Sequence, residues 1–447
     1  MANKKKRVLI ISYYWPPCGG IAVLRCLKFA KYLSQLGWEP VILAPDEAHY
    51  PSIDYSNDKD IPDNAIILKQ KIWEPYHIYK FITRQKKEAS VNNVFYVKDK
   101  KLGWAHKASV WIRSNFFIPD ARCMWINPAV DFLVDYLKEN PVDAILSDGP
   151  PHSNTRIATL VKQKTGTPWL ADFQDPWTQV DYYSLLSLTK WGDAKHRKLE
   201  QEAFKTADKT TIVSPTWKRE LEEIGAKNVS VVYWGYDPDD YKDLSTEVDE
   251  KFVFTHLGIL GYDRNPSTFF KVVQSLCQEN AAFKADFRLR LVGQVDYSVV
   301  EEYTALGLAD NVELVGSVDR KRALELMAKS TVLLLLLNQQ ANAQGRMPGK
   351  LFEYLATQRP ILSFGPQPSD VQHVIDESKS GFYCEYDEAE LIKSHLLELH
   401  AQYKLGALNK KIASNIAPYS IKTLTRKVSG YLEEIILKNK VAAATLG

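Results

Sequence analysis

The sequence lacks the long apolar runs and the cysteine pairs that mark membrane-spanning and disulfide-rich proteins. No window of its 447 residues reaches the roughly 18 uninterrupted apolar residues that a membrane-spanning helix needs. Its 5 cysteines are scattered and show no C-x-x-C spacing, so they indicate neither a disulfide framework nor a zinc site. The basic start at 1–7 is followed by too short an apolar run for a signal peptide. We therefore expect a cytoplasmic protein.

The composition is that of a soluble globular chain, but its charge is unevenly distributed. Apolar residues make up 45% and charged residues 25% of the chain, which excludes disordered, collagen-like and coiled-coil classes. Residues 1–236 carry 33 Lys and Arg against 26 Asp and Glu, a net charge of +7, whereas residues 237–415 carry 19 against 26, a net charge of −7. Two halves of opposite net charge indicate two domains that have different partners.

Both halves begin with the strand, turn and helix pattern of a parallel sheet. In the first half, Val8–Ser12 runs into the turn Pro16–Gly20, and a helical pattern follows. In the second half, Phe252–Leu257 leads into the turn Gly258–Gly261. We therefore predict an α/β protein with two doubly wound, Rossmann-like domains that face each other across a cleft. Further strands are predicted at Pro40–Ala44, Val142–Leu146, Pro168–Asp172, Thr210–Val213, Val229–Val232, Phe287–Val292, Val312–Val315, Thr331–Leu337 and Pro360–Phe364.

The predicted domains are 1–236 and 237–415, and an amphipathic helix lies within 416–447. The boundary is placed in the acidic, turn-rich segment 235–249. This segment contains an Asp-x-Asp in Asp237–Asp240, which we interpret as a solvated linker because no strand precedes it in the right register.

Residues 66–125 interrupt the alternation of strands and helices. They hold 12 Lys and Arg, 4 Asp and Glu and 11 aromatic residues, a net charge of +8. Basic and aromatic residues together suit an anionic membrane surface. A solvated face of the first domain is the other interpretation, and nucleic acid is not expected because no recognised module accompanies the segment.

In the first half, three clusters follow predicted strands and therefore lie where ligands bind in such sheets. Gly19 and Gly20 would let the backbone approach a ligand beside a helix N-terminus, although a tight turn explains them equally well. His152 is expected to face the cleft, where near-neutral titration would suit it to a sugar hydroxyl or to developing charge. Asp172 and Asp175 could orient hydroxyls, hold His152 or cap the next turn.

In the second half, the segment after the Leu-rich strand offers an anion site. Pro348 and Gly349 open a helix whose N-terminus attracts phosphate. Lys350 in its first turn adds a positive charge, and Arg264 after the Gly258–Gly261 turn is a second candidate phosphate cation. Glu353 lies one turn further on the same face and could bind a vicinal diol such as that of ribose, although an ordinary Lys–Glu helix pair is the alternative.

With these motifs in order, the chain resembles the GT-B glycosyltransferases of family 4, which are retaining enzymes that use nucleotide sugars. The resemblance covers nearly the whole chain. It is carried by the opening Lys-Arg-Val-Leu-Ile-Ile-Ser with Pro-Pro-Cys-Gly-Gly, then by Pro-Pro-His-Ser, Asp-Phe-Gln-Asp-Pro-Trp, Gly-Ile-Leu-Gly-Tyr-Asp-Arg-Asn-Pro, Leu-Val-Gly, Val-Gly-Ser-Val and Pro-Gly-Lys-Leu-Phe-Glu-Tyr-Leu-Ala.

The resemblance implies that 1–236 binds a saccharide or lipid-linked acceptor, that 237–415 binds the nucleotide sugar, and that the final helix returns to the first domain. It implies a site without metal or other cofactor, in which fixed cations stabilise the leaving group. The donor-site positions it implies are Gly19, Gly20, Gly258, Arg264, Gly293, Val318, Gly349, Lys350 and Glu353. The catalytic positions it implies are His152, Lys350 and Arg264.

Two departures from the family pattern concern the sugar and the acceptor. Gly345 stands where the family usually has a second carboxylate, eight positions before Glu353. Gln174 stands where related sequences often have arginine. Two alternatives stay open: a nucleotide-sugar epimerase of the same fold, and a non-catalytic subunit that binds a nucleotide sugar.

Overall fold

The computed structural model describes residues 5–74, 104–245, 247–339, 343–412 and 414–446. Contacts between Cα atoms divide the chain into two compact units. Unit 1 contains the described residues from 5 to 234 together with 421–446, and unit 2 contains those from 235 to 420.

Unit 1 is built on a parallel sheet. Within the described residues the sheet has 7 strands in the order β3-β2-β1-β4-β5-β6-β7. The strands are β1 (Lys6–Ile11), β2 (Trp38–Asp46), β3 (Ile66–Lys71), β4 (Ala144–Gly149), β5 (Trp169–Phe173), β6 (Lys209–Ile212) and β7 (Val229–Val231). The helices are α1 (Ala22–Gln35), α2 (Trp104–Phe116), α3 (Ile126–Glu139), α4 (His152–Thr165), α5 (Lys190–Thr206), α6 (Pro215–Glu223) and α14 (Ile421–Leu446).

The C-terminal helix α14 packs on unit 1, as predicted. Its residues Leu424, Val428, Leu432 and Ile435 are buried in the same apolar cluster as β1 and α1. The indole Nε1 of Trp38 also donates to Ser429 Oγ at 2.9 Å. The amphipathic stripe seen in the sequence is therefore the surface that joins this helix to unit 1.

Unit 2 repeats the same sheet order with one strand fewer. Its 6 described strands follow the order β10-β9-β8-β11-β12-β13, all parallel. The strands are β8 (Phe252–Leu257), β9 (Phe287–Val292), β10 (Val312–Gly316), β11 (Val332–Leu336), β12 (Ile361–Phe364) and β13 (Gly381–Cys384). The helices are α7 (Ser267–Glu279), α8 (Ala281–Asp286), α9 (Tyr297–Ala305), α10 (Arg320–Lys329), α11 (Gly349–Thr357), α12 (Asp370–Ser378) and α13 (Ala389–Lys404).

In each sheet the strand order reverses at one place, between β1 and β4 in unit 1 and between β8 and β11 in unit 2. Ligands of doubly wound sheets bind outside the carboxyl ends of the strands at such a point. The segments that follow these four strands contain the candidate residues Gly19, Gly20, His152, Gly258, Arg264, Gly349, Lys350 and Glu353.

The predicted insert 66–125 contains regular elements at both of its described ends. Ile66–Lys71 is strand β3, which pairs with β2, and residues 104–125 contain α2 and a short 3-10 helix at Cys123–Trp125. Residues 75–103 lie outside the described residues. Among the described residues, no helix combines the length and the apolar character that a membrane crossing requires.

The acidic segment at the start of unit 2 is also more ordered than predicted. Pro238–Tyr241 forms a short 3-10 helix, and the Asp237 side chain accepts from the Asp239 N–H at 3.0 Å. Asp237 is 5% exposed, and Asp240 forms an ion pair with Arg320. The prediction of a solvated linker is therefore wrong, because these carboxylates cap and pair within the fold.

Candidate functional site

Three glycine turns meet beyond the carboxyl ends of β8, β9 and β10. Gly258 and Gly293 have φ angles of +107° and +124°, which only glycine adopts readily. A Cβ atom on Gly293 would lie 2.4 Å from the Gly258 carbonyl oxygen. The Gly293 N–H donates to the Gly316 carbonyl at 2.8 Å. Both predicted glycines are therefore required for the close approach of these turns.

A pocket of about 370 Å³ opens beside these turns. This volume lies at the lower end of the range for small-molecule sites, and its lining is mostly apolar, as is usual for them. The pocket contains Gly258, Gly293 and Val318, which the sequence predicted. It is lined by Leu257, Gly258, Ile259, Val292, Gly293, Gln294, Ser317, Val318 and Ala323.

Lys350 brings a positive charge to the edge of this pocket. Its Nζ donates to the Leu257 carbonyl at 3.0 Å and lies 3.4 Å from the position of a Cβ atom on Gly258. Burial, followed by the positive charge of Arg264, lowers the pKa of Lys350 to about 7, with a smaller lowering by Arg346 and an opposing effect of Glu353. Two arginines therefore lie near enough to act on the charge of Lys350, an arrangement that an anion would stabilise.

Arg264 ends a short 3-10 helix, Tyr262–Arg264, that follows the Gly258–Gly261 turn. Its Nε lies 3.5 Å from Asp263 Oδ1, and both side chains are largely buried. Within the described part of the chain, Arg264 Nε and both carboxylate oxygens of Asp263 are buried without a hydrogen-bond partner. Buried polar atoms are usually paired, so this cluster has unused hydrogen-bonding capacity.

Helix α11 presents its N-terminus in the same region. It begins at Gly349, and Pro348 precedes it in an extended conformation without a side-chain cap. The first turn contains no acidic residue. Its N–H groups and its dipole therefore suit an anion, as the sequence predicted.

Glu353 is part of an ion-pair network that the sequence did not predict. Its Oε1 accepts from Arg320 Nη1 at 2.6 Å, and Arg320 Nη2 donates to Asp240 Oδ2 at 3.0 Å. The side chain of Glu353 is 15% exposed. The simple Lys350–Glu353 helix pair that we considered is replaced by this network, which fixes one carboxylate oxygen of Glu353.

A buried histidine lies beneath these charged groups. His256 is 0% exposed, and its Nδ1 lies 3.1 Å from the Leu334 carbonyl. Burial, followed by the charges of Lys350 and Arg264, holds the pKa of His256 well below its ordinary value. The ring is therefore neutral and adds no fourth charge.

In unit 1, His152 is more buried than predicted. It begins α4 and is 8% exposed, and its ring stacks on Trp177 with centroids 4.4 Å apart and planes 2° apart. Burial, with a smaller contribution from His196, lowers the pKa of His152 to about 3. The expectation of an open, near-neutral histidine is wrong, and the neutral ring suits hydrogen bonding rather than proton transfer.

The other candidates of unit 1 have structural contacts. Asp172 binds Arg25 through both carboxylate oxygens, so it holds an arginine rather than His152.

The Gly19 N–H donates to the Ser52 carbonyl at 2.9 Å, and a Cβ atom on Gly19 would meet Ser52 Oγ at 2.7 Å. Gly20 has a φ angle of +86°. The predicted contact of Gly19 and Gly20 with a diphosphate stays a prediction.

Gln174 and the residues around it form a buried polar cluster. Gln174 is 3% exposed, and its Nε2 donates to Asp148 Oδ2 at 3.2 Å. Asp148 also accepts from Asn154 Nδ2 at 2.6 Å. Burial raises the pKa of Asp148 to about 7. Gln174 therefore belongs to the interior of unit 1.

Solved structures with the same architecture cover nearly the whole chain. S. aureus TarM, solved as a mutant with fondaparinux, α-GlcNAc-glycerol and UDP, has 10% identity, a TM-score of 0.56 and coverage of 96% of this chain and 99% of that one. WaaG, a glycosyltransferase involved in lipopolysaccharide biosynthesis, has 14% identity, a TM-score of 0.53 and coverage of 95% and 99%. A putative UDP-N-acetylglucosamine 2-epimerase from Listeria monocytogenes has 10% identity, a TM-score of 0.55 and coverage of 97% of each chain.

The two doubly wound sheets and this structural likeness define the GT-B fold. Residues 251–402, which contain the pocket and the three cations, match the sequence family described as glycosyl transferases group 1. Curated protein sequences give no significant match to the chain. The family match and the fold together support glycosyl transfer as the chemistry.

Proposed function

We propose that this chain is a retaining glycosyltransferase that moves a sugar from a nucleotide diphosphate sugar to a saccharide or lipid-linked saccharide acceptor. The observation that carries the proposal is the contact of Lys350 with the Leu257–Gly258 turn that lines the pocket of unit 2, with Arg264 and Arg346 near enough for their charges to act on it. This cluster lies in the segment that matches the group 1 glycosyl transferases. The likeness to TarM, whose structure contains UDP, supports a nucleotide as the ligand.

The parts of the site correspond to the parts of a nucleotide sugar. The apolar pocket with Val318 would receive the base, and the Glu353 carboxylate, held by Arg320, would bind the ribose diol. Lys350, Arg264 and the N-terminus of α11 would hold the diphosphate. Gly345, which replaces a family carboxylate, leaves backbone N–H groups near 345–349 to bind the sugar hydroxyls.

The reaction needs stabilisation of charge on the leaving group. The bond between the anomeric carbon and the diphosphate oxygen breaks, and the acceptor oxygen forms the new bond on the same face of the sugar. The acceptor proton passes to the leaving phosphate, so no oxidant or reductant takes part. Lys350 and Arg264 would stabilise the negative charge that develops, in the role that a metal has elsewhere. His152, neutral and fixed by Trp177, would donate or accept a hydrogen bond at the sugar.

A panel of nucleotides tests the proposal first. UDP, GDP, CMP and dTDP compounds are compared by thermal shift, and the best nucleotide sugar is then incubated with candidate acceptors from surface polysaccharides. We expect one nucleotide to raise Tm, and acceptor-dependent release of the nucleoside diphosphate with retention at the anomeric carbon by NMR. No shift with any nucleotide, or an inverted product, would contradict the proposal.

The likeness to a putative 2-epimerase supports one alternative. An epimerase would convert the nucleotide sugar without any acceptor and would leave the sugar attached to the nucleotide. The same NMR experiment without acceptor distinguishes the two reactions, because only an epimerase changes the donor spectrum under that condition.

A further inference from the structure

We propose that unit 1 docks on an anionic lipid bilayer through a face formed by the end of α2 and the start of α5, which goes beyond the proposed glycosyl transfer. We call this the α2–α5 face. It consists of Trp111, Ile112, Phe116, Lys190, Trp191 and Lys195.

The apolar part of the α2–α5 face is large and exposed. Trp111 is 42% exposed, Ile112 47%, Phe116 63% and Trp191 58%. The rings of Trp111 and Phe116 contact each other, with centroids 5.9 Å apart. Several large apolar side chains together, unlike single exposed ones, mark a surface that binds another body.

The two segments of the α2–α5 face are joined by one buried side chain. Asn115 Oδ1 accepts from the Thr189 N–H at 2.7 Å and from Thr189 Oγ1 at 2.8 Å. Asn115 Nδ2 donates to the Ser187 carbonyl at 3.3 Å. A Cβ atom on Gly192 would lie 2.7 Å from Asn115 Oδ1. The two segments that carry the exposed rings are therefore held together by Asn115, and little ordering of the backbone is needed on docking.

The charge around these rings favours a negatively charged partner. Residues 110–119 contain Arg113 and no acidic residue, and residues 187–198 contain 4 Lys and Arg against 1 acidic residue. That acidic residue, Asp193, is already paired with Arg197 at 2.9 Å. Lys195 Nζ lies 5.0 Å from the Trp191 ring centroid.

Tryptophan beside lysine is the combination that suits the membrane interface. The indole ring stays at the level of the lipid headgroups, and lysine extends its charge to anionic headgroups while its alkyl chain covers apolar surface. Each such charge contributes about 1 kcal/mol to binding an anionic surface, which is about fivefold in affinity. A bilayer of anionic lipid fits both the rings and the charges of this face.

The experiment measures binding of the full chain to vesicles by flotation. Vesicles of phosphatidylcholine alone are compared with vesicles that also contain phosphatidylglycerol, at low and high salt. The variants are Trp111→Ala with Phe116→Ala, and Lys190→Gln with Lys195→Gln. The matched controls are Tyr297→Ala, an aromatic residue of unit 2 that is 73% exposed, and Lys227→Gln, an exposed lysine before β7.

We expect binding only to the anionic vesicles, with weaker binding at high salt. The double variant Trp111→Ala with Phe116→Ala should bind the anionic vesicles at least about tenfold more weakly. The double variant Lys190→Gln with Lys195→Gln should bind them about 25-fold more weakly, while the affinity of each control variant should stay within twofold of the wild type. Each variant should keep the wild-type Tm, since Trp111, Phe116 and Lys190 are exposed and Lys195 is only half-buried. Equal binding to both vesicles, or equal loss in the controls, would overturn the proposal. Analytical ultracentrifugation that finds a changed oligomeric state for the variant Trp111→Ala with Phe116→Ala would also overturn the proposal, because a second copy of the chain would then cover this face in the wild type.

Discussion

Lys350 allows the sharpest test of the donor site, because its lowered pKa makes donor binding a proton-linked reaction. The free amine has a pKa of about 7. The groups that face it are Arg264, Arg346, Glu353 and His256, of which His256 stays neutral. A bound diphosphate adds negative charge beside the amine and returns its pKa towards the ordinary value of about 10.4.

The size of the effect follows from these two pKa values. At pH 8 the free lysine is about one-tenth protonated and the bound lysine almost fully protonated, so binding takes up about 0.9 proton. At pH 6 the uptake falls to about 0.1 proton. Donor affinity must fall as the pH rises, because the protonated form of Lys350 binds the anion. The protonated fraction of Lys350 in the free protein decreases with rising pH. Donor affinity should therefore fall about 50-fold between pH 7 and pH 9.

Calorimetry in buffers of different ionisation enthalpy measures the proton uptake. A nucleotide sugar is the ligand to use, since its phosphates lack the second proton that titrates near pH 6 in a terminal phosphate. The control is Lys350→Arg, whose guanidinium stays charged and should bind with no uptake at pH 8. Uptake close to zero in the wild type, or equal uptake in Lys350→Arg, would refute the reasoning.

Three further predictions concern the other parts of the site. Glu353→Ala should weaken nucleotide-sugar binding, measured by calorimetry, by at least about tenfold, because a charge-assisted hydrogen bond is lost. Arg320→Lys should have a smaller effect. Unchanged affinity in Glu353→Ala would exclude the proposed contact with ribose. His152→Ala should lower kcat by about 100-fold while donor affinity changes little, and full turnover would make His152 structural. Activity should persist in EDTA, and a strict requirement for Mn²⁺ would contradict a site based on Lys350 and Arg264.

The fold could be predicted where buried parallel strands appear as apolar runs. β1, β8 and β11 are mostly covered on both faces, so each contains a run of apolar residues that is easily recognised. β3 was missed because it is a partly exposed edge strand whose second half is polar and which runs into a basic aromatic segment. An edge strand depends on its single neighbour β2, which the local pattern does not reveal.

The candidate site could be predicted in part because residues that follow parallel strands come to lie at the same edge of the sheet. Gly258, Gly293, Val318 and Lys350 all follow strands or open a helix, and the structure places them around one pocket. Arg346 could have been recognised as a basic residue just before the predicted phosphate-binding helix.

Two features depended on packing between elements that are distant in sequence. Arg320 reaches Glu353 from α10 across 33 residues, and no local pattern links these two positions. His152 was expected at an open strand end, but its ring stacks on Trp177 and is shielded from solvent. Its exposure, and with it the pKa, depends on this tertiary contact.

A crystal structure of the chain soaked with the nucleotide sugar chosen by thermal shift tests the central claim most directly. We predict density for the diphosphate between Lys350, Arg264 and the first turn of α11, with the base beside Val318 and the ribose on Glu353. Lys350 Nζ should then contact phosphate oxygen. A nucleotide bound elsewhere, or a diphosphate that contacts neither Lys350 nor Arg264, would contradict the account.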